Sequence, residues 1–248
     1  MKSIFKKSII FIILILIVVS CAKRYQLKDG KFSDFNTIQD LDKATVFNFV
    51  IMSDNKGDSP KNSKQFENMV KWIEESNAQF VIGLGDHVKK GWDNSFLPFL
   101  KENEWWYQNF YPNVADGENE FYGKSQADWG AGAPILDEVN LSKRPDVVIR
   151  DNKCEYYAKI KAKGYTIHLI QLHFPDEPKE DTIAFNQDSR QYLVDCLESI
   201  NKGSKDIIIA AAHSRTGFWI DQISEEQQDI VMNKCDMVLS ATTHFWER

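Results

Sequence analysis

The chain has 248 residues, 43% of them apolar and 12% aromatic, with a formal charge of −6. That is enough apolar material for one sizeable layered domain, and no internal repeat or low-complexity stretch interrupts it. The acidic balance argues against a nucleic-acid partner.

At the N-terminus, Lys2, Lys6 and Lys7 precede an unbroken apolar run from Ile9 to Val19, which ends in Val18-Val19-Ser20-Cys21. A run this short falls well below the ~20 residues a membrane-spanning helix needs, but it suits the core of a signal peptide behind a basic start. Small Ser20 before Cys21 fits a lipobox, so residues 1–20 are expected to be a lipoprotein signal peptide and Cys21 the lipidated first residue of the mature chain. The alternatives are an uncleaved anchor or an ordinary signal peptide. Cleavage removes three lysines and no acid, which takes the charge from −6 to −9. The expected location is the bacterial periplasm or cell surface. Position 22 is not Asp, which favours the outer membrane.

Residues 21–43 are polar and aperiodic, as a membrane tether should be, and the domain is expected over 44–248. There, apolar β-rich runs alternate with helical patterns, which is α/β order. Strands are expected at Val46 to Met52 and Phe80 to Leu84, with a helix around Ser63 to Ser76 between them. Further strands are expected at Tyr156 to Ala162, Tyr165 to Leu172, Asp206 to Ala212 and Met237 to Ser240, and helices at Ser189 to Asn201 and Ser224 to Asn233. Trp92, Trp105, Trp106, Trp129 and Trp219 are expected to cover the core or to wall a pocket. Cys154, Cys196 and Cys235 are too widely spaced for a zinc knuckle and allow at most one disulfide, of unassigned pairing.

Four of these strands end on residues that can bind metal. Asp54 follows VFNFVIMS, Asp86 follows FVIGLG, His213 follows DIIIAAA, and His244 follows MVLSATT. The C-terminal edge of an open α/β sheet is where ligands bind, and divalent cations need oxygen and nitrogen donors converging from several elements. One such Asp is more often a helix cap and one such His a core residue; four at successive strand ends point to a site.

The order of these motifs resembles that of the calcineurin-like metallophosphoesterases, near the purple acid phosphatase branch, over about Phe47 to Arg248. Ser53-Asp54-Asn55-Lys56 stands at the first motif, Gly85-Asp86-His87-Val88-Lys89 at the second, Gly117-Glu118-Asn119-Glu120 at the third and Ala212-His213-Ser214 at the fourth. Thr242-Thr243-His244-Phe245-Trp246-Glu247-Arg248 is similar to the GHxHxYER ending of that branch. The resemblance implies a four-layer αββα sandwich of two mixed sheets flanked by helices. It also implies one or two divalent ions, of unassigned identity, held by Asp54, Asp86, Glu118, His213 and His244, and hydrolysis of a phosphomonoester or phosphodiester.

Several positions depart from the family pattern. Lys56 replaces the first-motif histidine, Lys89 stands where Asp or Tyr is usual, Glu118 and Asn119 replace the Asn-His pair, and Thr242 replaces a histidine. Two unit charges ~4 Å apart at an effective dielectric of ~20 interact by ~4 kcal/mol, so an ammonium beside a divalent cation is disfavoured by roughly twice that. Lys56 and Lys89 therefore point to solvent or to a substrate phosphate, lose their protons, or replace one cation, leaving one metal instead of two. Arg215, on a glycine-containing loop, is a candidate clamp for an anionic oxygen. Asn119 cannot give a proton to a leaving group, which leaves His87 or His173 for that role; His87 is also placed to orient a water or act as a substitute ligand. His168, inside a strand pattern, reads as structural. The competing reading is a degenerate relative that binds an anion or partner without turning it over.

Overall fold

Phe66, Met69, Val70 and Ile73 recur at helical spacing, and in a computed structural model they form the inner face of helix α1, Lys64–Glu75. The structure describes residues 47–53, 64–87, 96–114, 136–137, 139–150, 154–173, 182–213 and 223–241, all within the unit Val46–Arg248. Helix α1 closes through Ser76, whose amide donates to Trp72, and Asn77 in the left-handed region at φ 51°.

Strand β1 (Val50–Met52) leads through α1 to strand β2 (Val81–Gly83). Helices α2 (Phe96–Glu102) and α3 (Glu104–Asn109) follow, and then strand β3 (Phe110–Pro112). The helical crossovers make the described strands of this sheet parallel, in the order β1-β2-β3. Central β2 is buried along its whole length, which explains its unbroken apolar sequence.

The second sheet runs β4-β5-β6-β7-β8, from strands Val147–Ile149, Tyr156–Ala162, Tyr165–Leu172, Asp206–Ala212 and Met237–Ser240. It is mixed: β4, β5 and β6 pair antiparallel, while β6, β7 and β8 pair parallel. Lys163 and Gly164 turn the β5–β6 hairpin with φ 44° and 84°, the positive pair that a two-residue type I′ turn requires. Helix α4 (Thr182–Ser199) precedes β7, and helix α5 (Glu225–Lys234), started by a capping box between Ser224 and Gln227, precedes β8.

Alternation along the strands builds two cores. Tyr156, Ala158, Ile160, Ile167, Leu169, Ile209 and Ala211 join the first sheet and its helices in one cluster. Ile170, Leu172, Ile208, Ala210 and Ala212 face the other way and pack with Leu193, Leu197 and Val231 of α4 and α5. The architecture is thus α/β, with two sheets flanked by helices. Trp106 is buried, and its indole N–H donates to Glu74 Oε1 at 3.3 Å, whereas its neighbour Trp105 is exposed. Among the described residues, Cys154, Cys196 and Cys235 form no disulfide.

Strand β1 is shorter than its apolar run; before it, the Gln79 amide donates to Asn48 O at 2.9 Å, and Asn48 also bonds the Gln79 side chain and Ser76 O. Helix α4 starts at Thr182, earlier than its apolar spacing indicated, and ends at Ser199. Helices α2 and α3 and strands β3 and β4 were not anticipated; both strands span only three residues.

An ion pair near the start of β4 ties the two sheets together. Tyr111 Oη donates to Asp146 Oδ2 at 2.6 Å, Arg144 Nη2 donates to the same oxygen at 3.1 Å, and the Arg144 guanidinium lies 3.9 Å from the Tyr111 ring centre. Burial pushes the Asp146 carboxyl up, but the bonds from Tyr111 and Arg144 outweigh it, and the group stays below its ordinary value of 3.8. A depressed folded value contributes stability that is present above the unfolded value and lost as pH falls through the folded one. Asp146→Asn is therefore expected to cost about 1.5–3 kcal/mol at neutral pH. The variant should also flatten the stability profile below pH 3.8. Urea melts from pH 7 to pH 2 read both effects.

Candidate functional site

Strand ends from both sheets are laced together by hydrogen bonds. The Leu84 amide, just after β2, donates to Met52 O at the end of β1 at 2.8 Å. Ser53 Oγ donates to Gly85 O at 3.4 Å, which sets the residue before Asp54 against the residue before Asp86. Across the sandwich, His213 Nδ1 donates to Leu84 O at 2.7 Å, joining residues 129 apart in sequence. The Ala241 amide, just after β8, then donates to His213 O at 3.1 Å. The ends of β1, β2, β7 and β8 thus form one connected edge.

On this edge Asp86 is half-buried and His213 is buried. Because a carbonyl can only accept, the bond to Leu84 O places a proton on Nδ1 of His213, so Nε2 is the nitrogen that can ligate. That is the tautomer a metal-binding imidazole adopts, with its second nitrogen donating to a backbone carbonyl. Asp86 and His213 thus stand on strand ends that are bonded to each other through Leu84. Among the described residues, no group of three or more His, Cys, Asp or Glu is placed to hold a metal. Asp54, Glu118 and His244 lie outside the described residues, as do Lys56, Lys89, Asn119, Arg215 and Cys21.

His173 directly follows β6, as His213 follows β7, and the register Leu172↔Ala212 makes the two histidines successors of a paired position. His173 Nδ1 donates to Val114 O at 2.7 Å, so this ring too carries a proton on Nδ1. Its backbone amide points at Glu155 Oε1 at 3.4 Å, while Arg150 Nη1 donates to Glu155 Oε2 at 2.7 Å. Burial pushes the Glu155 carboxyl up, against the bonds from Ser189 and Arg150.

His87 folds into the core beneath this edge, fully buried between Phe96 and Phe110. Its Nε2 accepts the Gly85 amide at 3.1 Å. Burial, and then the charge of nearby His213, push the imidazole down to about 3, so the ring is neutral.

No family model, curated protein or solved structure matches the chain.

A polar seam beneath the edge was not anticipated from sequence. Gln171 Nε2 donates to Gly83 O at 3.1 Å and to Tyr111 O at 3.0 Å, and Gln171 Oε1 accepts from Asn113 Nδ2 at 2.9 Å. The same Asn113 nitrogen reaches Leu172 O at 2.6 Å, and the Asn113 amide donates to Gly83 O at 2.7 Å. The available signal was Gln171 itself, the one amide side chain in the run YTIHLIQL. His168, expected to be structural, sits on β6 with Nδ1 2.5 Å from Tyr157 Oη and Nε2 3.6 Å from Asp206.

Proposed function

We propose that this chain is a metal-dependent hydrolase of phosphoesters, held at the bacterial cell envelope through a lipid on Cys21. The observation that carries the reading is the connected edge, on which the strand ends preceding Asp54, Asp86, His213 and His244 are hydrogen-bonded to one another. The motif order along the sequence supports the same site, and two sheets flanked by helices are compatible with the αββα sandwich of the metallophosphoesterases.

In this reading Asp54, Asp86, Glu118, His213 and His244 form the ligand set. A divalent ion held there supplies Lewis-acid activation of a phosphoryl group. Leu84 O orients the His213 ring, so that Nε2 is the ligating atom. Lys56, Lys89 and Arg215 bind phosphoryl oxygens and neutralise their charge. With Nδ1 committed to Val114 O, His173 takes up and returns a proton at Nε2, the step that Asn119 cannot perform.

The lysines at two ligand positions favour one bound ion over two. The test is elemental analysis of the purified full chain together with hydrolysis of p-nitrophenyl phosphate and its bis-ester. One ion per chain with turnover is expected, and Lys56→His should raise the content towards two. Metal without turnover would favour the degenerate, anion-binding reading, and two ions in the unmodified chain would show that the lysines do not exclude the second cation.

A further inference from the structure

Asp86 stands in a backbone conformation that needs a reason. Gly85 and Asp86 have φ 94° and 55°, and a left-handed Asp directly after a left-handed Gly forms a sharp turn at the end of β2. The next residue supplies the support. The His87 ring folds back beneath its own turn, and its Nε2 accepts the Gly85 amide at 3.1 Å, closing a loop of only two residues. The ring is wedged between Phe96 and Phe110, with centroids 6.1 and 5.3 Å away, so it has no room to swing out. Gly83 completes the cradle: a Cβ there would meet His87 Nε2 at 2.4 Å and the Phe110 ring at 2.8 Å. Three features of the sequence GLGDH thus serve one geometry, since Gly83 admits the ring, Gly85 turns and donates, and His87 accepts.

We propose that His87 is a positioning residue, an internal latch whose Nε2 holds the Gly85 amide and so fixes the Asp86 backbone in the conformation the metal site uses. It acts through Asp86 and touches neither substrate nor ion. The proposal rests on the metal reading for its consequence, while the latch itself is a property of the chain alone.

The test compares the full chain with His87→Phe, which fills the ring's space without an acceptor, and His87→Gln, whose Oε1 can reach where Nε2 stood. Residues that orient ligands typically affect metal affinity by about 10–100-fold. Titration with Mn²⁺ should therefore show His87→Phe weakened by about tenfold or more, with His87→Gln within about threefold of the unmodified chain. Equal affinity in all three, or a loss in His87→Gln as large as in His87→Phe, would overturn the proposal. If the unmodified chain binds neither Mn²⁺ nor Zn²⁺, the metal reading fails and the latch is judged by ¹⁵N NMR of that chain. A neutral His87 carrying its proton on Nδ1, with a slowly exchanging Gly85 amide, supports the latch; a proton on Nε2 overturns it. The NMR measurement needs no variant and stands even if His87→Phe does not fold.

Discussion

Asp86→Asn is expected to lower divalent-metal affinity by about 10³-fold and to reduce phosphoester hydrolysis in step with it. The substitution keeps the shape of the side chain, and Asn tolerates the left-handed φ of 55° at least as well as Asp, so the turn should survive. What is lost is one negative charge beside a doubly charged ion. At ~4 Å and an effective dielectric of ~20 that attraction is ~8 kcal/mol, of which roughly half is offset by the desolvation of the carboxylate. The remaining ~4 kcal/mol corresponds to about three orders of magnitude in affinity. Calorimetric titration reads the loss, and a thermal melt without metal should move by no more than about 2–4 °C, the equivalent of about 1 kcal/mol. Unchanged affinity would remove Asp86 from the ligand set.

Gln171→Leu is expected to be the most damaging single change to the fold. Its amide bridges the two sheets, donating to Gly83 O and Tyr111 O and accepting from Asn113. Leucine is close in size but satisfies none of these groups, and each buried polar group left without a partner costs about 1–3 kcal/mol. Gly83 O keeps the Asn113 amide, and Asn113 Nδ2 keeps Leu172 O, so the net loss should be about 3 kcal/mol. For a chain of this size that lowers the melting temperature by about 6–12 °C. A shift under ~2 °C would show that the seam is replaceable. Because Gly83 lies three residues before Asp86, the variant should also weaken metal binding, and pairing it with Asn113→Leu in a double-mutant cycle separates the two amides' shared contribution.

What was legible in the sequence followed from periodicity. Strands β5, β6, β7 and β8 coincide with their apolar runs residue for residue, because alternation or continuous apolarity marks a strand packed on one or both faces. Helix α1 was legible for the same reason, its Phe66-Val70-Ile73 spacing placing one face on the core. Strands β3 and β4 were not, since three residues carry no measurable period, and FYP follows directly on the helix EWWYQN with no break between them. In the candidate site, the positions of Asp86 and His213 just beyond their strands were legible, because a polar residue ending an apolar run marks where the chain leaves the core. The role of His87 was not. Adjacency to Asp86 suggested chemistry, whereas the ring direction depends on Gly83 lacking a side chain and on Phe96 and Phe110 closing from other elements. Likewise, the Nδ1 bonds of His213 and His173 reach carbonyls 129 and 59 residues away in sequence, and only the packing of the two sheets reveals them.

The central claim is that Asp86 and His213 bind the same divalent ion. The most direct measurement is anomalous diffraction at the zinc edge from crystals of the full chain grown with Zn²⁺. A single strong peak about 2.0–2.1 Å from His213 Nε2 and about 2.0–2.2 Å from an Asp86 carboxylate oxygen is the expected result. A zinc-free map, or a peak bound elsewhere with these two side chains unengaged, would contradict it.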